Sequence, residues 1–184
     1  MKPLGYLSFL RLCHFSRPAC DRVLYKWTAR NKPRAIVEGG LSGIERSQSI
    51  IRIAQRVSPN AEISYLGLDE FEGRPQVNSE LTLRNTHKML NRTGAKVRLL
   101  PGDPLGTIAR MANQLPKADL FILTLDPNHC DWDQLWFFLP RLMHDNTLVL
   151  LRRDSHGTGQ PEVLNLKEIE ALASHPATAR KPAA

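Results

Sequence analysis

From Arg34 onward the chain repeats one pattern: a short, continuous apolar run, a turn, and a longer segment with apolar residues near helical spacing. The apolar runs are Ala35–Glu38, Ile63–Leu68 ending at Asp69, Val97–Leu100, Leu120–Leu125 and Thr147–Leu151. The intervening segments Ile44–Val57, Val77–Asn91, Leu105–Leu115 and Trp132–Met143 read as helices, the last bent at Pro140. Strands that alternate with helices predict a mainly parallel sheet covered on both faces. Runs without polar alternation agree, because a parallel strand is buried on both sides. Beyond the fifth strand, Ser155–Pro161 reads as a polar loop. Leu164–Ala173 is one more short strand or helix, and 176–184 a loose tail.

A length of 184 residues suits one domain with a sizeable core. No apolar run reaches the length of a membrane span. Cys13, Cys20 and Cys130 lack paired metal spacing, so no metal site is expected, and their odd number and scatter point to reduced thiols in a cytoplasmic setting. The charge is concentrated at one end. Residues 1–34 carry eight basic side chains against Asp21 alone, an excess equal to the net charge of +7 on the whole chain. Residues 1–33 therefore form a basic leader ahead of a charge-balanced domain at 34–175. Cys20, Val23, Leu24 and Trp27 give it the stripe of a helix packed on a core with a solvated basic face. The leader also leaves an anionic partner open, a nucleic acid or an anionic lipid surface.

The first strand runs into Glu38-Gly39-Gly40-Leu41-Ser42-Gly43 and the helix from Ile44, with Ser42 at the N-cap position. Glycines let backbone approach a ligand closely, and a helix N-terminus offers free N–H groups. Four carboxylates fall at or just after the ends of the first four strands: Glu38, Asp69, Asp103 and Asp126. Ligands of open α/β sheets bind at that edge. The gap from Gly43 to Asp69 is longer than the spacing of a dinucleotide site, and the glycine pattern differs from that fingerprint.

Together these segments resemble the class I S-adenosylmethionine-dependent methyltransferases over Arg34–Asp154, most nearly the macrocin O-methyltransferase-like and catechol O-methyltransferase-like branches. Asp69-Glu70-Phe71-Glu72-Gly73-Arg74-Pro75 is similar to the macrocin-type segment after the second strand, where Asp is followed by Phe-Glu-Gly and a Pro. Val37-Glu38-Gly39-Gly40 is similar to the family's first motif, and Gly102-Asp103 to the turn that contacts adenine. The resemblance implies a Rossmann-like three-layer sandwich. It implies S-adenosylmethionine as cofactor, with Glu38, Gly39 and Gly40 at its amino acid end, Asp69 and Glu70 at the ribose, and Gly102 and Asp103 at the adenine. Asp126 and His129 are the candidate catalytic pair for a small-molecule acceptor methylated at oxygen.

The departures from that pattern are specific. Ile44 stands where the first motif has its last glycine. Arg152-Arg153 stand where metal-dependent relatives carry acids, which argues against a divalent metal and for an anionic acceptor held by the two guanidinium forks. The family adds two antiparallel strands after the fifth, whereas 30 residues follow Asp154 here. The sandwich is thus expected to be shortened at its C-terminal end. The acceptor site would then be completed by the basic leader or by a second subunit of a homodimer. A non-catalytic Rossmann-like module that binds an anionic partner through the leader is the competing reading.

Overall fold

A computed structural model describes residues 4–74, 81–126, 130–153 and 161–174. Two helices, α1 (Tyr6–Phe15) and α2 (Ala19–Asn31), precede the alternating region. It then runs β1 (Ala35–Gly39), α3 (Ile44–Val57), β2 (Ser64–Asp69), α4 (Leu83–Asn91), β3 (Lys96–Pro101), α5 (Pro104–Met111), β4 (Leu120–Thr124), α6 (Trp132–Phe138) and β5 (Leu148–Arg152). A final strand β6 (Glu162–Asn165) leads directly into α7 (Leu166–Ser174). The order across the sheet is β3-β2-β1-β4-β5-β6. The first five strands are parallel, and β6 is antiparallel to β5 at the edge.

The three-layer Rossmann-like arrangement follows from the parity of the strands. Successive strand residues point to opposite faces. Ile36, Tyr65, Ile122 and Leu150 pack with α2 and α3 residues Leu24, Tyr25, Ile50 and Ala54. Val37, Leu68, Phe121, Leu123 and Leu151 pack on the other face with Ile108 of α5, Leu135 and Trp136 of α6, and Ile169 of α7. The basic leader therefore shares a core with the sheet. Its buried stripe is turned from the expected one: Cys20, Asp21, Leu24, Tyr25 and Thr28 are inward, and Val23 and Trp27 are half-buried.

Most element boundaries match the sequence pattern within a few residues, and the differences have local causes. The long helix expected to bend at Pro140 is α6 followed by a 3-10 turn over Leu139–Leu142, because proline cannot donate to the preceding turn. Gly43, not Ser42, is the N-cap of α3, and no side chain caps it. The expected helix from Val77 begins at Leu83 in the described part, capped by the Thr82 hydroxyl accepting from Asn85 N. Its earlier residues and the 176–184 tail lie outside the described residues.

Asp119, at the N-terminal edge of the sheet, ties β1 to β4. Its carboxylate accepts from Arg34 N at 2.6 Å, Ala35 N at 2.8 Å and His144 Nε2 at 2.9 Å. Partial burial works to raise its pKa, but these bonds to the ionised form outweigh it and hold the pKa below the usual carboxylate range. A depressed folded-state pKa stabilises the fold above the unfolded value, near pH 4, and that stability is lost as pH falls through the folded value. Asp119→Asn is expected to cost roughly 1 kcal/mol at neutral pH, after allowing for solvent screening at this partly exposed site. The deficit should shrink toward zero below about pH 3. Urea denaturation of both proteins at the two pH values checks this, and a deficit independent of pH would refute it.

Candidate functional site

The carboxyl edge of the sheet opens where β1 and β4 lie side by side while their following helices go to opposite faces. Such a switch point leaves a crevice above the strand ends. The glycine turn after β1 fills the bottom of it. Gly40 has φ +73°, and its N–H donates to Leu68 O at 3.0 Å. A Cβ there would sit inside the Thr124 carbonyl oxygen of β4. At Gly39 a Cβ would meet Leu123 Cδ2 at 3.0 Å and Pro104 Cβ at 3.3 Å. At Gly40 the turn can therefore lie this close to β4 only as glycine.

Glu38 is 0% exposed, on the α3 face of the sheet. Its Oε1 accepts from Arg46 Nη2 at 2.7 Å. Its Oε2 accepts from Ser47 Oγ at 2.8 Å and from Tyr65 OH at 2.6 Å. Burial works to lower the Arg46 pKa, but the charge and hydrogen bond of Glu38 outweigh it and raise it. Burial first, and then the same carboxylate, pushes the Tyr65 phenol well above its ordinary pKa. Both carboxylate oxygens are thus taken by internal donors. The carboxylate pins the first turn of α3 to β1 and β2, beneath the glycine turn.

Asp69, 1% exposed, ends β2. Its Oδ2 accepts from Leu41 N at 2.7 Å, and its Oδ1 from Phe71 N at 2.8 Å and from Arg74 Nε at 2.7 Å. Arg74 Nη2 completes a bidentate pair on Oδ2 and also donates to Leu41 O at 2.6 Å. Leu41, Phe71 and Leu81 form a small apolar cluster of their own. Asp69 therefore holds the glycine turn and the segment after β2 together. Glu70 starts the 3-10 turn over Phe71–Gly73, its carbonyl accepting from Gly73 N at 2.8 Å. Gly102, φ +129°, donates its N–H to Asp69 O at 2.8 Å and so draws the end of β3 to the end of β2. Asp103 is exposed at the same edge and caps α5, its Oδ2 accepting from Gly106 N at 2.6 Å.

Gly39, Gly40, Asp69, Glu70, Gly102 and Asp103 thus lie along one edge, over β1, β2 and β3. Asp126, half-buried, follows β4 on the same edge. His129 lies outside the described residues. Cys130 is near Asp103 and Asp131. Burial and then these two carboxylates push its thiol up to about 11, so it is protonated at neutral pH. Among the described residues no group of three or more His, Cys, Asp or Glu could hold a metal ion.

Arg152 and Arg153 do not form one anion site. They are successive residues at the end of a strand and point to opposite faces. Arg152 is buried on the α2 side, 3.8 Å from the Asp21 carboxylate. Arg153 lies over the Trp132 ring, 4.7 Å from its centroid, and pairs with Glu162 at 3.0 Å.

Sequence reasoning missed Arg46, Ser47, Tyr65 and Arg74, the side chains that occupy the predicted carboxylates. A signal existed for two of them. Arg46 falls in the first turn after the glycines, and Arg74 is a cation five residues past a strand-end acid.

No protein-family model matches the chain, and no curated protein matches it. Among solved structures it is similar to cofactor-bound Rv0187 from MTB, with a TM-score of 0.51 and 16% identity over 79% of this chain and 62% of that one. At this identity the likeness is one of fold, a mainly parallel sheet with helices on both faces. The SAH-bound methyltransferase PaMTH1 of Podospora anserina aligns with a TM-score of 0.46 and 16% identity, over 76% of this chain and 53% of that one. The chain thus spans less than two thirds of the length of either neighbour. Within this fold, the glycine turn and the ends of β2 and β3 lie at the crevice of the switch point.

Proposed function

We propose that the chain is an S-adenosylmethionine-dependent methyltransferase acting on a small molecule at oxygen. One observation carries the reading: a turn that only glycine can make sits at the switch point, flanked by carboxylates at the ends of β2 and β3. The cofactor-bound state of Rv0187, a neighbour of the same fold, supports it. The Gly39–Gly40 backbone would line the amino acid end of the cofactor, Asp69 and Glu70 the ribose, and Gly102 and Asp103 the adenine amino group. The cofactor supplies an activated methyl group when bound, so the chain's main task is to position the acceptor in line with it. Asp126, with His129 three residues further along, would take the proton of the acceptor hydroxyl. The acceptor is a small molecule and has no paired-arginine anchor, because Arg152 is turned into the α2 layer.

A second reading, a non-catalytic Rossmann-like module, is favoured by Arg74. Its guanidinium already uses the carboxylate that ribose hydroxyls would need. The two readings part in one experiment. Titration calorimetry with S-adenosylmethionine and S-adenosylhomocysteine should show binding to the wild type. Arg74→Ala should bind about tenfold tighter, since ligand no longer displaces a charged bidentate partner from Asp69. No heat in either protein, both folded, would remove the cofactor reading and leave the non-catalytic one.

A further inference from the structure

The α1–α2 hairpin carries a surface that the cofactor reading does not use. In α1, Cys13 is buried and Phe9, Leu10 and Leu12 are partly buried. The opposite side carries Leu7, Arg11, His14 and Phe15, which share one stripe at helical spacing. Leu7 is 81% exposed and Phe15 76%. In α2, Arg22, Lys26 and Arg30 recur every fourth residue, away from the buried Asp21, Leu24, Tyr25 and Thr28. Both stripes belong to one hairpin, because Phe9, Leu12 and Cys13 of α1 share a core cluster with Leu24, Tyr25 and Trp27 of α2. Arg17, Lys32 and Arg34 add exposed cations around them. The one acid of residues 4–34, Asp21, is turned inward toward Arg152, so the described hairpin shows cations and no exposed carboxylate.

We propose that this hairpin docks on an anionic lipid bilayer, with Leu7 and Phe15 entering the headgroup boundary and the cations lying over anionic headgroups. Charge complementarity selects an anionic partner. The apolar side chains select among anionic partners. Phosphate contacts to a nucleic acid need cations and polar donors, and an isolated exposed leucine adds nothing to them. A bilayer interface rewards Leu and Phe beside Arg and Lys. At ten residues α1 is too short to cross a membrane, and no described helix is long and apolar enough to do so. Its inner stripe is already committed to the protein core. Contact would therefore be peripheral and reversible, and would weaken as salt screens the charges.

The test is cosedimentation of the full chain with vesicles. The protein should bind pure phosphatidylglycerol vesicles at least tenfold more tightly than pure phosphatidylcholine vesicles, and lose that preference in high salt. Lys26→Glu with Arg30→Glu should abolish binding. Leu7→Ser with Phe15→Ser should weaken it about tenfold with the charge unchanged. All four side chains are on the surface, so the variants should melt as the wild type does, and a melting scan checks that. Equal binding to the two vesicle types, or binding that Leu7→Ser with Phe15→Ser leaves intact, would overturn the proposal. So would binding to a double-stranded DNA oligonucleotide without binding to phosphatidylglycerol. A wild-type dimer that becomes monomeric in Leu7→Ser with Phe15→Ser, again without vesicle binding, would assign the surface to a second copy of the chain instead.

Discussion

Replacing Glu38 with alanine is expected to cost about 3–5 kcal/mol of folding stability, the range for breaking one side of a buried ion pair. The reason is what remains. Arg46 is buried beside it, and two of its nitrogens, Nε and Nη1, already have no hydrogen-bond partner among the described residues. Without Glu38 the guanidinium loses its countercharge, and the Ser47 and Tyr65 hydroxyls lose their acceptor. Glu38→Gln should lose less, because an amide oxygen still accepts from Ser47 or Tyr65, but it leaves Arg46 uncompensated. Urea denaturation of the two variants and the wild type would show the graded loss. A loss within about 1 kcal/mol for alanine, with weakened S-adenosylmethionine binding in the folded variant, would return Glu38 to direct ligand contact.

Gly40→Ala is the other large effect, roughly 2–5 kcal/mol, combining a left-handed backbone with overpacking. At φ +73° a side chain is strained before any neighbour is considered. The neighbour is the Thr124 carbonyl, backbone of a central strand, and it cannot yield without moving β4. Gly43→Ala is the internal control. Its φ of 166° is ordinary extended backbone, and a Cβ there would meet nothing within 4 Å. It should change stability by no more than about 0.5 kcal/mol. Equal losses at the two positions would mean that the turn is intolerant for some reason other than this contact.

The parallel strands were legible because each is a mostly apolar run, and α3 because its amphipathic pattern is complete: its observed bounds are those read from the sequence, Ile44–Val57. The pattern of Leu164–Ala173 fits either a strand or a helix, and the region holds both, with β6 passing into α7 at Asn165–Leu166. Six apolar residues in ten fit either period, so only pairing with β5 separates them. The carboxylates at the sheet edge were legible as positions. Their partners were not, because those partners come from other elements: Tyr65 of β2 for Glu38, and Arg74 past β2 together with the Leu41 amide for Asp69. Asp69 closes three segments around one buried carboxylate.

By itself the sequence determined the α/β class, the strand-by-strand alternation, the glycine turn and the row of acids, since each depends on residues close together along the chain. The tertiary structure alone decided which face each strand residue meets. That choice sends Glu38 into the α3 layer, parts Arg152 from Arg153, and puts Arg74 on Asp69. The physical reason is that a buried charge is stable only with a partner, and the partner a folded chain supplies depends on which elements pack together.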